Sequence, residues 1–477
     1  MGSLQDTAEN KEISITIPPI FCPFPCRIHP DAQQMMEISN AWLLDRSKRI
    51  TAAYKSQLAA KLFAVNHLVN SAYSLLVSVY YANAISTQRL LPIYKLMNWF
   101  FMIDTCVDEP GMFGADDRAK HVIIESVMAL FTPANDKLPP LGKSIHSPSL
   151  ASHEQYLPIT HGHERCIEDV PQHASKHDSD EISSHTLVLH TPLKHVSEPA
   201  LHENIACDNE STCNSSQQAD ITEELARILT STATEWWSDM CIDMPLSQQA
   251  RLSETLRDYL SCILQETTFR STYHLPDVHT YLRIRMQSIG WYPVAVLTEY
   301  TLCMELDQEA ITNPLVLALK DNVCKSVILV NDVTSFCKEY ERGDEFNIVM
   351  VLCFNKLKGK CEALPKSWAI LATQELLQES MNEACEMIRE TNQGCACMIE
   401  KIKGSPVLMK KPGMGAFLEA MGNYVAGNIY WHLTSERYGV CASGSNDNKP
   451  LEQIIKGVNI LASHTLHLKQ PLPSINN

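Results

Sequence analysis

Positive charge is in short supply in this 477-residue chain: 39 Lys and Arg stand against 55 Asp and Glu, a formal net charge of −16. That balance excludes the basic footprint of a nucleic-acid binder and suits anionic membranes poorly. It leaves room for a local basic pocket that grips a small anion. No apolar run reaches the length of a membrane span, so stable membrane insertion is not expected. The opening MGSLQDTAENKEISITIPPI lacks the apolar core of a secretory signal and is too acidic and too poor in Arg for a transit peptide. The expected address is the cytoplasm, where the 17 cysteines stay reduced. Neither Cys22-Pro-Phe-Pro-Cys26 nor Cys395-Ala-Cys397 has the paired spacing of a zinc site, so both read as packing thiols. Convincing strand alternation and Gly-rich strand–turn–helix motifs are missing too, which leaves an all-α fold.

What is present is helical period. Residues 1–30 are set apart as a Pro-rich strap, because EISITIPPIFCPFPCRIHP cannot be a helix. Over 31–130, AQQMMEISNAWLLD, AAKLFAVNHLVNSAYSLLVSVYYANA and LLPIYKLMNWFFMIDTCVDE repeat apolar residues every three or four positions. The last two are apolar nearly all round, as in helices at the centre of a bundle. Near Phe131 the composition turns to Ser, His, Pro, Asn and acidic residues, and 131–219 reads as a disordered insertion that buries too little to offset its chain entropy. Its histidines, from His146 to His202, are scattered without ligand spacing. Helical text resumes over 220–440, with a start signal at Pro276-Asp277, and 441–477 is a tail. The chain reads as a single bundle with one long insertion and no apparent internal repeats.

Three constellations carry chemistry. In NDVTSFCKE, Asn331, Ser335 and Glu339 recur at four-residue spacing on one face of a helix, next to the apolar run SVILV. That face is either a solvated surface or one wall of a metal site. An amide, a hydroxyl and one carboxylate make an all-oxygen chelate suited to Mg²⁺, and its single charge wants an anionic ligand to complete it. Asp104 and Asp108 share a face at the C-terminal end of an apolar helix, where the macrodipole disfavours negative charge unless a cation is near; Glu109 reads as the start of a loop. Arg283, Arg285, Lys338 and Arg437, the last followed by Tyr438, each read singly as a surface salt bridge; taken together with the acidic groups they suggest a diphosphate held between Mg²⁺ ions and gripped by Arg and Lys.

N-D-x-x-S-x-x-x-E at 331–339 resembles the second metal-binding motif of microbial-type class I terpene synthases, found in bacteria, fungi and non-seed plants. D-x-x-x-D at 104–108 resembles that family's aspartate-rich motif, Arg285 its diphosphate-sensing arginine, and Arg437-Tyr438 its C-terminal Arg-Tyr pair. The resemblance covers roughly 15–130 and 220–440. It implies the isoprenoid-synthase helical bundle around an apolar cavity and three Mg²⁺ per site. Asp104 would bind two of the ions, with Asp108 as an outer partner that pairs with an arginine on closure. Asn331, Ser335 and Glu339 would hold the third. Arg285, Lys338, Arg437 and Tyr438 would bind diphosphate, with Arg285, Arg437 and Tyr438 acting in ionisation. Phe100, Phe101 and Trp431 would line the cavity, and the strap would fold over it.

The implied activity is Mg²⁺-dependent ionisation of a prenyl diphosphate, farnesyl diphosphate first, to a terpene hydrocarbon or alcohol, by a monomer or homodimer. Two alternatives remain: a chain-elongating prenyl diphosphate synthase, disfavoured by Asn331 and Ser335 where aspartates are needed, and a catalytically silent all-α binding protein. Thr105 stands where the family's acidic motif has its second aspartate, and Ser288 and Ile289 differ from some members. The insertion is not a general family feature.

Overall fold

The computed structural model describes residues 13–54, 71–108, 117–132, 215–271, 275–359, 368–435, 437 and 464–468, all of them in one unit of the chain. The helices run in the order α1 (Ala32–Tyr54), α2 (Tyr73–Tyr80), α3 (Thr87–Asp108), α4 (Asp117–Met128), α5 (Ser215–Cys241), α6 (Leu246–Ser271) and α7 (Val278–Ser288). They continue through α8 (Trp291–Thr301), α9 (Gln308–Ile311), α10 (Pro314–Glu341), α11 (Ile348–Lys358), α12 (Gln374–Lys403), α13 (Pro406–Met409) and α14 (Met414–Thr434). No helix among the described residues is long and apolar enough to cross a membrane.

Local chemistry sets the helix ends. Asp277, Asp307, Asn313, Asn347, Thr373 and Ser405 each cap the following helix by accepting from a backbone N–H. The helix expected to run on from Pro276-Asp277 starts on signal and is then broken. Gly290 takes φ 77°, and a Cβ there would meet the Tyr259 ring at 3.2 Å, so the chain turns between α7 and α8. Sequence reading also passed over α11, a short apolar run that becomes helical behind the Asn347 cap.

Strand alternation does occur. In β1 (Ile13–Ile17), Ile13, Ile15 and Ile17 are buried while Ser14 and Thr16 alternate outward. The strand pairs antiparallel with β2 (His464–Leu468), Ile13 opposite Leu468. The two partners come from opposite ends of the chain, so neither segment alone announces the pairing. The strap that follows β1 lies along α12 and α14. Asn392 donates to the Phe21 carbonyl at 2.7 Å, Gln378 exchanges two hydrogen bonds with Thr16, and Arg27 pairs with Glu419.

The edges of the expected insertion shift slightly. Phe131 is core, stacked on Trp236 at 5.7 Å, and α5 is already helical at Ser215. The histidines from 146 to 202, Glu109, Tyr438 and the side chain of Asp108 lie outside the described residues.

α10 is central, packed on α12, α14 and α7. α14 also packs on α2, so closely that a Cβ on Gly427 would meet Val79 at 2.8 Å. α2 in turn packs on α3, which links the two helices that carry the acidic and polar motifs. The early turns of α10 end in a buried charge cluster. Arg251 pairs with Glu299 at 2.7 Å, Glu299 also accepts from the Leu306 N–H at 2.7 Å, and Lys320 lies beside them. Burial pushes Lys320 down to about 8, with Glu299 and Asp321 pulling the other way. The unfolded chain holds this proton more tightly, so folding gains stability as pH rises from about 8 towards the ordinary lysine value. Below that window the full cost of burying the ammonium is present. Lys320→Met should therefore raise the melting temperature at pH 7, by up to about 3 kcal/mol in stability, with the gain shrinking in melts at pH 10 and above.

Candidate active site

The motif helix α10 turns its polar residues in two directions. Asp332 points into the protein and is 1% exposed. Its Oδ2 accepts from the Tyr281 hydroxyl at 2.6 Å and from the Ile348 N–H at 3.2 Å, and its Oδ1 faces Arg285 Nη2 at 3.4 Å. Burial raises this carboxyl above its ordinary value, and Arg285, Tyr281 and the Ile348 N–H oppose the rise. Asp332 is thus a structural anchor that ties α10 to α7 and to the N-terminus of α11.

Asn331, Ser335 and Glu339 lie on another face. Ser335 is buried, with its hydroxyl only loosely engaged to the Asp332 carbonyl at 3.4 Å. Glu339 accepts from Asn347 Nδ2 at 2.9 Å, and the same nitrogen donates to the Asp332 carbonyl at 2.7 Å. Asn331 takes the Arg285 guanidinium on its amide oxygen at 3.3 Å. The donor set is an amide oxygen, a hydroxyl and a carboxylate, neutral except for Glu339, which fits a hard divalent cation and offers no soft ligand.

Arg285 is 9% exposed and held by acids on two elements. Nη1 reaches Glu266 Oε2 at 3.3 Å, and Nη2 reaches Asp332. Ser288, one of the departures from the family pattern, donates to Glu266 and so helps hold the carboxylate against Arg285. Asp332 stands in the motif but its role as a partner of Arg285 was not legible, and Glu266 is a lone acid in helical text; only the packing of α6, α7 and α10 brings the two to one guanidinium.

Across the site, Asp104 on α3 accepts from Arg437 Nη2 at 2.7 Å, while Arg437 Nη1 donates to the Tyr73 hydroxyl at 2.6 Å. The guanidinium lies over the Phe101 and Tyr73 rings, at 4.7 and 5.3 Å from their centroids, and those two rings stack at 3.9 Å. Trp431 flanks Phe101 at 5.7 Å and donates its indole N–H to the Ala72 carbonyl. Phe100 turns elsewhere, edge-on to Tyr259 at 4.9 Å. Thr105 bonds back to the Phe101 carbonyl at 2.8 Å, so it serves its own helix.

Lys338 joins the two walls. Burial, Arg437 and Arg342 push its ammonium down to about 8, while Asp104 and Glu339 pull it up. Asp104 and Arg437 from one side and Lys338 and Glu339 from the other therefore share one electrostatic neighbourhood. Cations crowd there enough to make a polyanion welcome. Tyr73 also belongs to this neighbourhood and was not read from the sequence, where a tyrosine in an apolar helix looks like core.

Comparison with known proteins bears on the same residues. Residues 200–391 match the model for terpene synthase family 2, C-terminal metal binding, a stretch that contains Glu266, Arg285 and the whole of 331–339. Sesquiterpene synthase 3 of Postia placenta is 26% identical over 43% of this chain and 52% of its own length. A (−)-beta-caryophyllene synthase of Saccharothrix espanaensis is 34% identical over 42% of this chain and 54% of its own. The chain spans about half the length of the curated relatives it matches. Among solved structures, a linalool/nerolidol synthase from Streptomyces clavuligerus, in complex with 2-fluorogeranyl diphosphate, aligns over 87% of this chain and 98% of its own. Its TM-score is 0.53 at 13% identity, a likeness of fold.

Proposed function

We propose that this chain is a microbial-type class I terpene synthase that ionises an allylic prenyl diphosphate, farnesyl diphosphate first, and converts the cation to a terpene hydrocarbon or alcohol. The observation that carries this reading is the ion pair of Asp104 with Arg437, both close enough to Lys338 to act on its charge. Lys338 stands on α10, the helix that also carries Asn331, Ser335 and Glu339. Asp104 on one side and Asn331, Ser335 and Glu339 on the other would hold Mg²⁺, three ions by family analogy, with Asp108 as an outer partner. When bound, Mg²⁺ supplies charge neutralisation for the departing diphosphate.

The chain's own residues do the rest. Arg285 and Arg437, now held by carboxylates, exchange those partners for diphosphate oxygens, and Lys338 adds a third cation that the anion lets keep its proton. Tyr438 is assigned to the same anion by its place in the motif. Loss of diphosphate leaves an allylic cation that water would quench, so a dry apolar lining is required. Phe101 and Trp431 offer ring faces next to the Arg437 end of the site, and cations are stabilised over such faces. Phe100 contributes through its packing on Tyr259.

The test is a substrate panel. Geranyl, farnesyl and geranylgeranyl diphosphates are each incubated with the protein and Mg²⁺, with and without isopentenyl diphosphate, and volatiles and prenyl products are analysed. A volatile terpene from farnesyl diphosphate alone is the expected result. Products appearing only when isopentenyl diphosphate is present would assign chain elongation instead, and no product from any substrate would remove the enzymatic reading.

A further inference from the structure

The chemistry above makes no use of His432, a histidine buried on α14 and 3% exposed. Its surroundings nevertheless fix what each of its nitrogens does. Arg285 has only donors to offer, so the Asn331 atom 3.3 Å from Nη2 is the amide oxygen. The Asn331 amide nitrogen is then the atom 3.2 Å from His432 Nε2, and it can only donate. Nε2 must accept, which leaves the ring proton on Nδ1, and Nδ1 meets the Asn428 carbonyl at 2.8 Å. Asn428 is held in turn, its side-chain oxygen accepting from the Tyr80 hydroxyl at 2.9 Å. Each assignment forces the next. The hydrogen bonds run in one direction, from Arg285 to the Asn331 oxygen, from the Asn331 nitrogen to His432, and from His432 to the Asn428 carbonyl.

An amide has two nearly isosteric ends, and only its oxygen can face a cation. Rotated by half a turn, Asn331 would present N–H groups to a metal and lose its value as a ligand. We infer that His432 is a positioning residue: its Nε2 lone pair holds the Asn331 amide so that the oxygen faces the cation. The inference rests on the metal-and-diphosphate reading of the site. Because the imidazole accepts only where Asn331 donates, it selects one amide orientation before any ion arrives.

The test compares His432→Phe, which keeps an aromatic ring and loses the acceptor, with His432→Gln, which supplies an amide oxygen at similar reach. The half-saturating Mg²⁺ concentration is measured in two ways, from turnover of farnesyl diphosphate and from the rise in melting temperature with inorganic diphosphate. His432→Phe should raise it by about 10- to 100-fold, the range for loss of a residue that orients a metal ligand. His432→Gln should stay within about threefold of the parent protein on the same scale. In an Asn331→Asp background, where no amide needs orienting, His432→Phe should add no further loss. A half-saturating concentration unchanged in His432→Phe, or a full additional loss in the Asn331→Asp background, would overturn the proposal.

If His432→Phe does not fold, nitrogen NMR of histidine-labelled wild-type protein reads the ring directly. A proton on Nδ1 supports the proposal and a proton on Nε2 overturns it. A wild-type protein whose melting temperature ignores Mg²⁺ with diphosphate, yet whose His432 is Nδ1-protonated, would sink the functional reading and leave the hydrogen-bond chain standing as a structural feature only.

Discussion

Asp104→Asn is expected to lower turnover of farnesyl diphosphate by about 10²- to 10³-fold, with little change in melting temperature. The carboxylate is 42% exposed, and its ion pair with Arg437 is of the partly solvated kind that contributes about 1 kcal/mol or less to stability. Its proposed role in holding cations against the leaving diphosphate is of another order, because charge stabilisation there acts only as the carbon–oxygen bond breaks. Asparagine keeps the shape and removes the charge, so activity and stability separate. Ser335→Ala should behave similarly, since the hydroxyl it removes makes only a long contact to the Asp332 carbonyl. Turnover close to wild type in both variants would take the metal assignment away from these two helices.

Asp332→Ala should do the reverse and strike stability first, by about 3–5 kcal/mol, as for a buried ion pair that loses one partner. The substitution leaves Arg285 with Glu266, strips the Tyr281 hydroxyl of its 2.6 Å acceptor and removes the carboxylate from the N-terminus of α11. Chemical denaturation is the measurement, and a midpoint unchanged from wild type would contradict the anchoring role. Asp332→Asn, which retains oxygen and volume, should fall between. The two aspartates therefore have opposite expected signatures, although both stand in motifs that sequence alone marks as metal-binding.

That contrast shows how far the sequence could be read. Spacing of four along a helix is a local rule, so Asn331, Ser335 and Glu339 were legible as one face, and the fold class followed from helical period. The direction of Asp332 was not, because a neighbouring residue on the same helix differs by about 100° in facing, and which side is interior depends on helices distant in sequence. Glu266, His432 and Tyr73 were invisible for the same reason. Each is an ordinary residue in helical text until packing brings it to Arg285, Asn331 or Arg437. The β1–β2 pair was missed because its alternating ISITI gains meaning only from a partner near the other end of the chain. Gly290 carried a readable signal, a glycine within a helical pattern, that marks the break between α7 and α8.

The central claim is that α3 and α10 form two walls of a divalent-cation-dependent diphosphate clamp. Titration calorimetry with inorganic diphosphate tests it without reference to any product. The account predicts saturable binding in the presence of Mg²⁺ that is abolished by EDTA and weakened by Asp104→Asn. Binding indifferent to EDTA, or no binding with Mg²⁺ present, would contradict it.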